Sequence, residues 1–267
     1  MGALLRVVFL ICAIAGVVVA YPTVGDTLED TAQSAVDLFD KRPTKTILIL
    51  GNSRVFFNNM PRMLREAADS AGSPVRYAIT SRTLPGARFV ELWDDASVQR
   101  LLKRRWDQVI LQAESGAQTS AVASADFEAY GEKLVSAAAA TGSPVALIVN
   151  WPYAESFYAD LPPDTRGRHV VAIEASHRAL AARTGASLIE TCQVWEELHA
   201  ADRALELTIP DGNHPTRAGT YLSALMVYGF LAEDRLSRVA FRPGGVDEGT
   251  AREIRNLVAQ HYGSGPG

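Results

Sequence analysis

Five short apolar runs, each separated from the next by a helix-like stretch, constrain this chain more than any other feature. They read TILIL at 46–50, VRYAI at 75–79, DQVILQ at 107–112, PVALIVNW at 144–151 and ASLIE at 186–190. Apolar runs of strand length without polar alternation are the pattern of strands buried on both faces. Helix-like segments lie between them, and three close on a glycine stop, at Gly72, Gly142 and Gly185. FVELWDDASVQRLLKRR holds one or two short helices, and two further helices follow the last run, TRAGTYLSALMVYGFLAE and GTAREIRNLVAQHYG. Strand and helix in repeated alternation predict an α/β fold, with a mostly parallel five-stranded sheet covered on both faces.

The 267 residues suit one such domain, placed at 45–262, and 48% apolar residues supply a full core. A formal charge of −4 carries no basic footprint, so nucleic acid is not an expected partner. The first strand is not followed by Gly-Lys-Ser/Thr, and no Gly-x-Gly-x-x-Gly turn opens a helix, which sets aside the common nucleotide-binding loops.

Residues 1–20 differ from the rest. One charge, Arg6, precedes an apolar run from Val7 to Ala20, with Val18 and Ala20 placed as the small residues before a cut. This is the shape of a secretory signal. An uncleaved membrane anchor over residues 4–20 is the rival, although a spanning helix needs about 20 apolar residues. Either places the domain outside the cytoplasm, periplasmic or extracellular, with residues 21–44 as a linker or helix. Cys12 lies in that segment, so Cys192 is expected as a single buried thiol in the mature chain.

In such sheets ligands sit beyond the carboxyl ends of the strands. There the sequence ILILGNSRVFFNNMP ends its strand on Gly51-Asn52-Ser53. A glycine permits a sharp turn, and a helix starting at the serine offers free N–H groups to an oxyanion. A polar turn is the plain alternative. IPDGNHPTRAG, at 209–219, puts Asp211 and His214 three residues apart in a loop before a helix. A serine hydroxyl needs a base, and the base an orienting carboxylate, so Asp211 and His214 are candidates to serve Ser53. A helix-capping loop with a surface histidine is the alternative. Gly86, after the second strand, has an unobstructed N–H to offer; Gln112, ending the third, has a side-chain amide. A turn glycine and a strand-end polar residue are equally ordinary readings of these two. His169, His177, His199 and His261 read as structural or solvated.

Taken together, GNS at 51–53, Gly86, LQ at 111–112 and DGNHP at 211–215 resemble the SGNH, or GDSL-like, hydrolase superfamily over most of residues 45–235. The resemblance implies a three-layer α/β/α sandwich with a flavodoxin-like sheet. It also implies a triad of Ser53, His214 and Asp211, an oxyanion hole from Ser53, Gly86 and Gln112, and no metal or organic cofactor. Two departures stand out. The first block has Asn52 where the family usually has aspartate. The third lacks the usual Gly-x-Asn-Asp, so Gln112 is expected to stand in for its asparagine. The activity implied is ester hydrolysis on a small-molecule or glycan ester. Export favours removal of acetyl or other short acyl groups from a carbohydrate, with Trp151 a candidate to stack on a sugar ring or, equally, to close the core as a lid residue. A lipase, lysophospholipase or thioesterase, an acyltransferase with the same triad, and a non-catalytic glycan-binding module are the alternatives.

Overall fold

The computed structural model describes residues 40–200 and 205–263; the expected signal or anchor at 1–20, and all but the last residues of the 21–44 segment, lie outside them. The strands are β1 (Thr44–Gly51), β2 (Arg76–Thr83), β3 (Gln108–Gln112), β4 (Val145–Ile148) and β5 (Ser187–Ile189). All pair in parallel in the order β2-β1-β3-β4-β5. The expected α/β architecture is therefore present.

Residue alternation along the strands builds two cores. Ile47, Ile49, Ile110, Ala146, Ile148 and Ile189 point to one face. There they meet α2 (Met60–Ser70), α8 (Thr191–Ala200), α9 (Arg217–Ala232) and α10 (Glu248–Gly263). Leu48, Leu50, Val109, Leu111, Val145 and Leu147 point to the other. That face is covered by α3 (Phe89–Asp94), α4 (Ala96–Leu102), α5 (Ala121–Ala139) and α7 (Thr165–Thr184). A buried Leu or Ile side chain contributes about 1.5–3 kcal/mol, so this pattern of period two fixes which residues face which layer.

Three details differ from the sequence reading. β2 continues to Thr83 because it pairs with β1 along its whole length, as far as Gly51↔Thr83. β4 stops at Ile148, and Val149 to Trp151 lead out of the sheet as a loop. Thr191–Ala200 is a helix that the sequence reading passed over, although its Cys192, Val194, Trp195 and Leu198 fall on one buried face. Cys192 is buried and free among the described residues, and burial pushes its thiol well above the usual range.

The strand order reverses direction at β1, whose connections lead to β2 on one side and towards β3 on the other. Such a switch point opens a crevice at the carboxyl edge. Gly51 and Gln112 both end strands there.

Candidate active site

Ser53 opens α1 (Ser53–Phe56) at the end of β1, and Asn52 caps that helix by accepting from the Arg54 N–H at 3.1 Å. Gly51 is needed for close approach rather than for an unusual backbone angle. A Cβ there would lie 2.8 Å from Gln112 Oε1 and 2.9 Å from Val55 Cγ2. Gly86 is a glycine of the other kind. Its φ is +65°, and the Ala87 N–H closes a turn on Leu84 O at 3.1 Å with Pro85 at the corner. The Leu84 N–H bonds to Gly51 O at 3.1 Å, which brings this turn beside the one that carries Ser53.

The His loop is folded on itself. Thr208 and Pro215 form an antiparallel bridge, and the Ile209 N–H donates to His214 O at 2.9 Å. Gly212 takes φ +70° at its tip. Asp211 Oδ1 accepts the N–H groups of Asn213 and His214, each at 2.9 Å. Asp211 Oδ2 lies 2.6 Å from His214 Nδ1, and His214 Nε2 lies 2.9 Å from Ser53 Oγ. The three residues named from the sequence thus form one continuous chain, across 161 positions of sequence between Ser53 and His214. Partial burial pulls the Asp211 carboxyl upward. The hydrogen bonds from the His214 ring and the two N–H groups outweigh it, holding the group below its ordinary range. The Phe57 ring stacks on the His214 imidazole, with centroids 4.6 Å apart and planes at 21°.

Gln112 is not placed as an oxyanion donor. Its Nε2 donates to Ala113 O and, at 3.1 Å, to Asn150 Oδ1; its Oε1 accepts the Asn52 N–H at 3.0 Å. Both amide protons are committed, and the side chain is 1% exposed, behind the turn. The expectation is corrected: Gln112 supports the turn that holds up Ser53. Gln112→Ala is then expected to leave the Asn52 N–H and Asn150 Oδ1 without partners, costing about 2 kcal/mol, or roughly 4–8 °C in Tm. The kcat is expected to fall by less than about 10-fold, well short of the 100- to 1000-fold loss of a direct oxyanion donor. Thermal melting and kcat on that one variant decide it.

Of the two readings of Trp151, the structure takes the core one and corrects the sugar-stacking one. Trp151 is 1% exposed, stacked on Trp195 with centroids 4.2 Å apart, and covered by the Arg54 guanidinium at 4.6 Å, so no sugar ring reaches it. Its position after β4 left both readings open, since the sequence carried no sign of the facing Trp195.

Three residues near the site escaped the sequence reading. Asn150 is buried and donates to Ala113 O at 2.8 Å and Glu114 O at 3.2 Å. Arg54 and Asn58 reach from the nucleophile segment to the His loop. An asparagine ending an apolar strand run was a legible signal for the first; nothing marked the other two. Asn52 donates its amide to Ala87 O at 3.1 Å and Ala113 O at 3.2 Å, tying the loops after β2 and β3 to the turn. His169 and His177 are buried, and burial lowers each to about 4, which keeps the rings neutral at pH 7. Among the described residues no three His, Cys, Asp or Glu side chains converge as metal ligands would.

No family model and no curated protein matches the chain. Solved structures do. A candidate SGNH hydrolase from Slackia heliotrinireducens is 27% identical over 71% of this chain and 100% of its own, with a TM-score of 0.57. This likeness points to the SGNH/GDSL-like superfamily. Two more distant structures share this fold. A DUF4886 family protein from Bacteroides uniformis has a TM-score of 0.66 at 13% identity, over 81% of this chain and 94% of its own. A candidate GDSL-like lipase from Parabacteroides merdae has a TM-score of 0.55 at 13% identity, over 70% and 95%. The chain shares the three-layer sandwich of these hydrolases, and the likeness supports a serine ester hydrolase of the SGNH type.

Proposed function

We propose that Ser53, His214 and Asp211 hydrolyse a carboxylic ester, and that the substrate is a carbohydrate carrying acetyl or other short acyl groups. The observation that carries the reading is the unbroken hydrogen-bonded chain from Asp211 Oδ2 through His214 to Ser53 Oγ, at 2.6 and 2.9 Å. His214 Nε2 takes the hydroxyl proton as Ser53 Oγ attacks the acyl carbon. The Ser53 and Gly86 N–H groups are the donors for the oxyanion, since Gln112 is committed elsewhere. The intermediate collapses, His214 protonates the leaving alcohol, and the acyl group stays on Ser53. Water, deprotonated by His214, then releases it as the acid.

A polymeric alcohol is supported by an open site: the Asp211 side chain is 42% exposed and that of His214 24%. The export-like residues 1–20 support a substrate outside the cytoplasm. A longer acyl chain is the second reading, favoured by the exposed Phe56, 40% accessible, on the nucleophile helix itself. The p-nitrophenyl acetate, butyrate and octanoate series separates the two readings, followed by acetylated oligosaccharides. The expected result is a kcat/KM highest on acetate, with acetate released from the oligosaccharides. A kcat/KM rising to octanoate, without oligosaccharide deacetylation, would replace the first reading with the second.

A further inference from the structure

Two side chains from the nucleophile segment grip the His loop on either side of His214. Arg54, one residue after Ser53, donates Nε to Asn213 Oδ1 at 3.1 Å. Asn58, five residues after Ser53, donates Nδ2 to Pro215 O and Thr220 Oγ1, each at 3.0 Å. The residues held, Asn213 and Pro215, are the immediate neighbours of His214. The serine segment and the base segment are therefore laced directly to each other, without the sheet as intermediary.

Both grips are costly to the fold. Arg54 is 2% exposed and forms no ion pair with a carboxylate among the described residues, the Glu114 charge acting on it only weakly. Its Nη1 donates to Trp151 O at 2.5 Å, its Cζ lies 4.6 Å from the Trp151 ring centroid and 5.5 Å from that of Tyr153, and its Nη2 is buried with no hydrogen-bond partner among the described residues. An apolar side chain of this volume would cost less to bury. Burial lowers the guanidinium only to about 10, so the charge is retained at neutral pH. Asn58 and its neighbour Asn59 take φ of 54° and 57°, two left-handed residues in succession without a glycine. Such conformations cost energy and concentrate at functional sites. Here the Asn58 conformation brings its amide to Pro215, while Phe57 before it lies flat on the His214 ring.

We propose that Arg54 and Asn58 are positioning residues that set the Ser53–His214 geometry for proton transfer. The proposal rests on the triad reading above. It predicts that loosening either grip slows chemistry while leaving substrate affinity and the count of reactive serines intact.

The test uses Arg54→Met, which keeps the apolar stem, and Asn58→Gly, which keeps the left-handed backbone and removes only the amide. Active sites are counted by titration with a fluorophosphonate, and kcat, KM and Tm are measured on one p-nitrophenyl ester. The expected kcat per titrated site falls about 10- to 100-fold in each variant, with KM changed by less than about threefold. Asn213→Ala cuts the Arg54 bond from the half-buried loop side, and supplies the same measurement if Arg54→Met does not fold. Adding it to Arg54→Met is expected to cost little more, because both cut one bond. A lowered Tm with kcat per titrated site unchanged in Asn58→Gly and Asn213→Ala would overturn the proposal, leaving both grips purely structural. Ser53→Ala separates the two failures. If it is inactive while the grip variants are unaffected, only the positioning role is lost; if it turns over normally, the triad reading is lost.

Discussion

Ser53→Ala is expected to abolish ester turnover and to leave the fold and its melting temperature nearly unchanged. The hydroxyl is the atom that the whole constellation serves. It lies 2.9 Å from His214 Nε2, and among the described residues no other hydrogen bond to Ser53 Oγ holds the turn together. The turn is held instead by Asn52, through its cap on Arg54 and its bonds to Ala87 and Ala113. Removing one oxygen therefore costs the structure little. Removing a triad nucleophile costs about six orders of magnitude in kcat, because the remaining groups have no acyl acceptor to work with. The measurement is kcat on p-nitrophenyl acetate beside a thermal melt, with fluorophosphonate labelling as a second readout. A variant that retained wild-type hydrolysis and a label at another residue would remove Ser53 from the reaction.

Asp211→Asn is expected to be nearly as damaging, for a reason that the loop geometry supplies. Asp211 Oδ1 accepts two backbone N–H groups while Oδ2 faces His214 Nδ1. An asparagine in this loop keeps its oxygen on the two N–H donors and turns its NH2 towards the ring. Nδ1 must then accept, the ring proton moves to Nε2, and Nε2 can no longer accept from Ser53. The wrong tautomer costs about 10⁴-fold in kcat. Activity is expected to recover in part at alkaline pH, where the serine hydroxyl needs less help. The native carboxylate carries a stability consequence with a definite sign. Its folded pKa is depressed, so its contribution is present above the unfolded value and lost as pH falls through the folded one. A pH–rate profile of the variant beside the wild type checks the first point. A variant within tenfold of wild type at neutral pH would sink the orienting role.

The sequence made the frame of this molecule readable because sheet burial and helix stops are local signals. ILIL at 47–50 is apolar at every position since both faces of β1 are covered, by Ile47 and Ile49 on one side and Leu48 and Leu50 on the other. The hydrogen-bonded chain proposed as the triad was readable because Ser53, Asp211 and His214 each sit in a short motif at a strand or helix boundary. At Gln112, and in the sugar-stacking reading of Trp151, the type of residue suits the task and the direction does not. Side-chain direction at a strand end depends on what lies across the sheet: Asn150 and the Asn52 N–H draw the Gln112 amide inward, and Trp195 takes the face of Trp151. Those partners are distant in sequence, so no local pattern announces them. The same holds for Arg54 and Asn58, whose acceptors lie 159 and 157 positions away.

Asn52 carries a consequence for how chains of this kind can diverge. Its amide gives one proton to the carbonyl of Ala87 and one to that of Ala113, while its oxygen caps the helix that Ser53 opens. An aspartate has the oxygen but not the protons, and would set a negative charge against two carbonyl oxygens. The middle residue of the first block is thus coupled to the backbone direction of two loops that are remote from it in sequence. A relative with Gly-Asp-Ser must present something other than bare carbonyls at those two places. The difference of one letter between the two kinds of first block is then a difference in the course of two loops, and neither can change without the other.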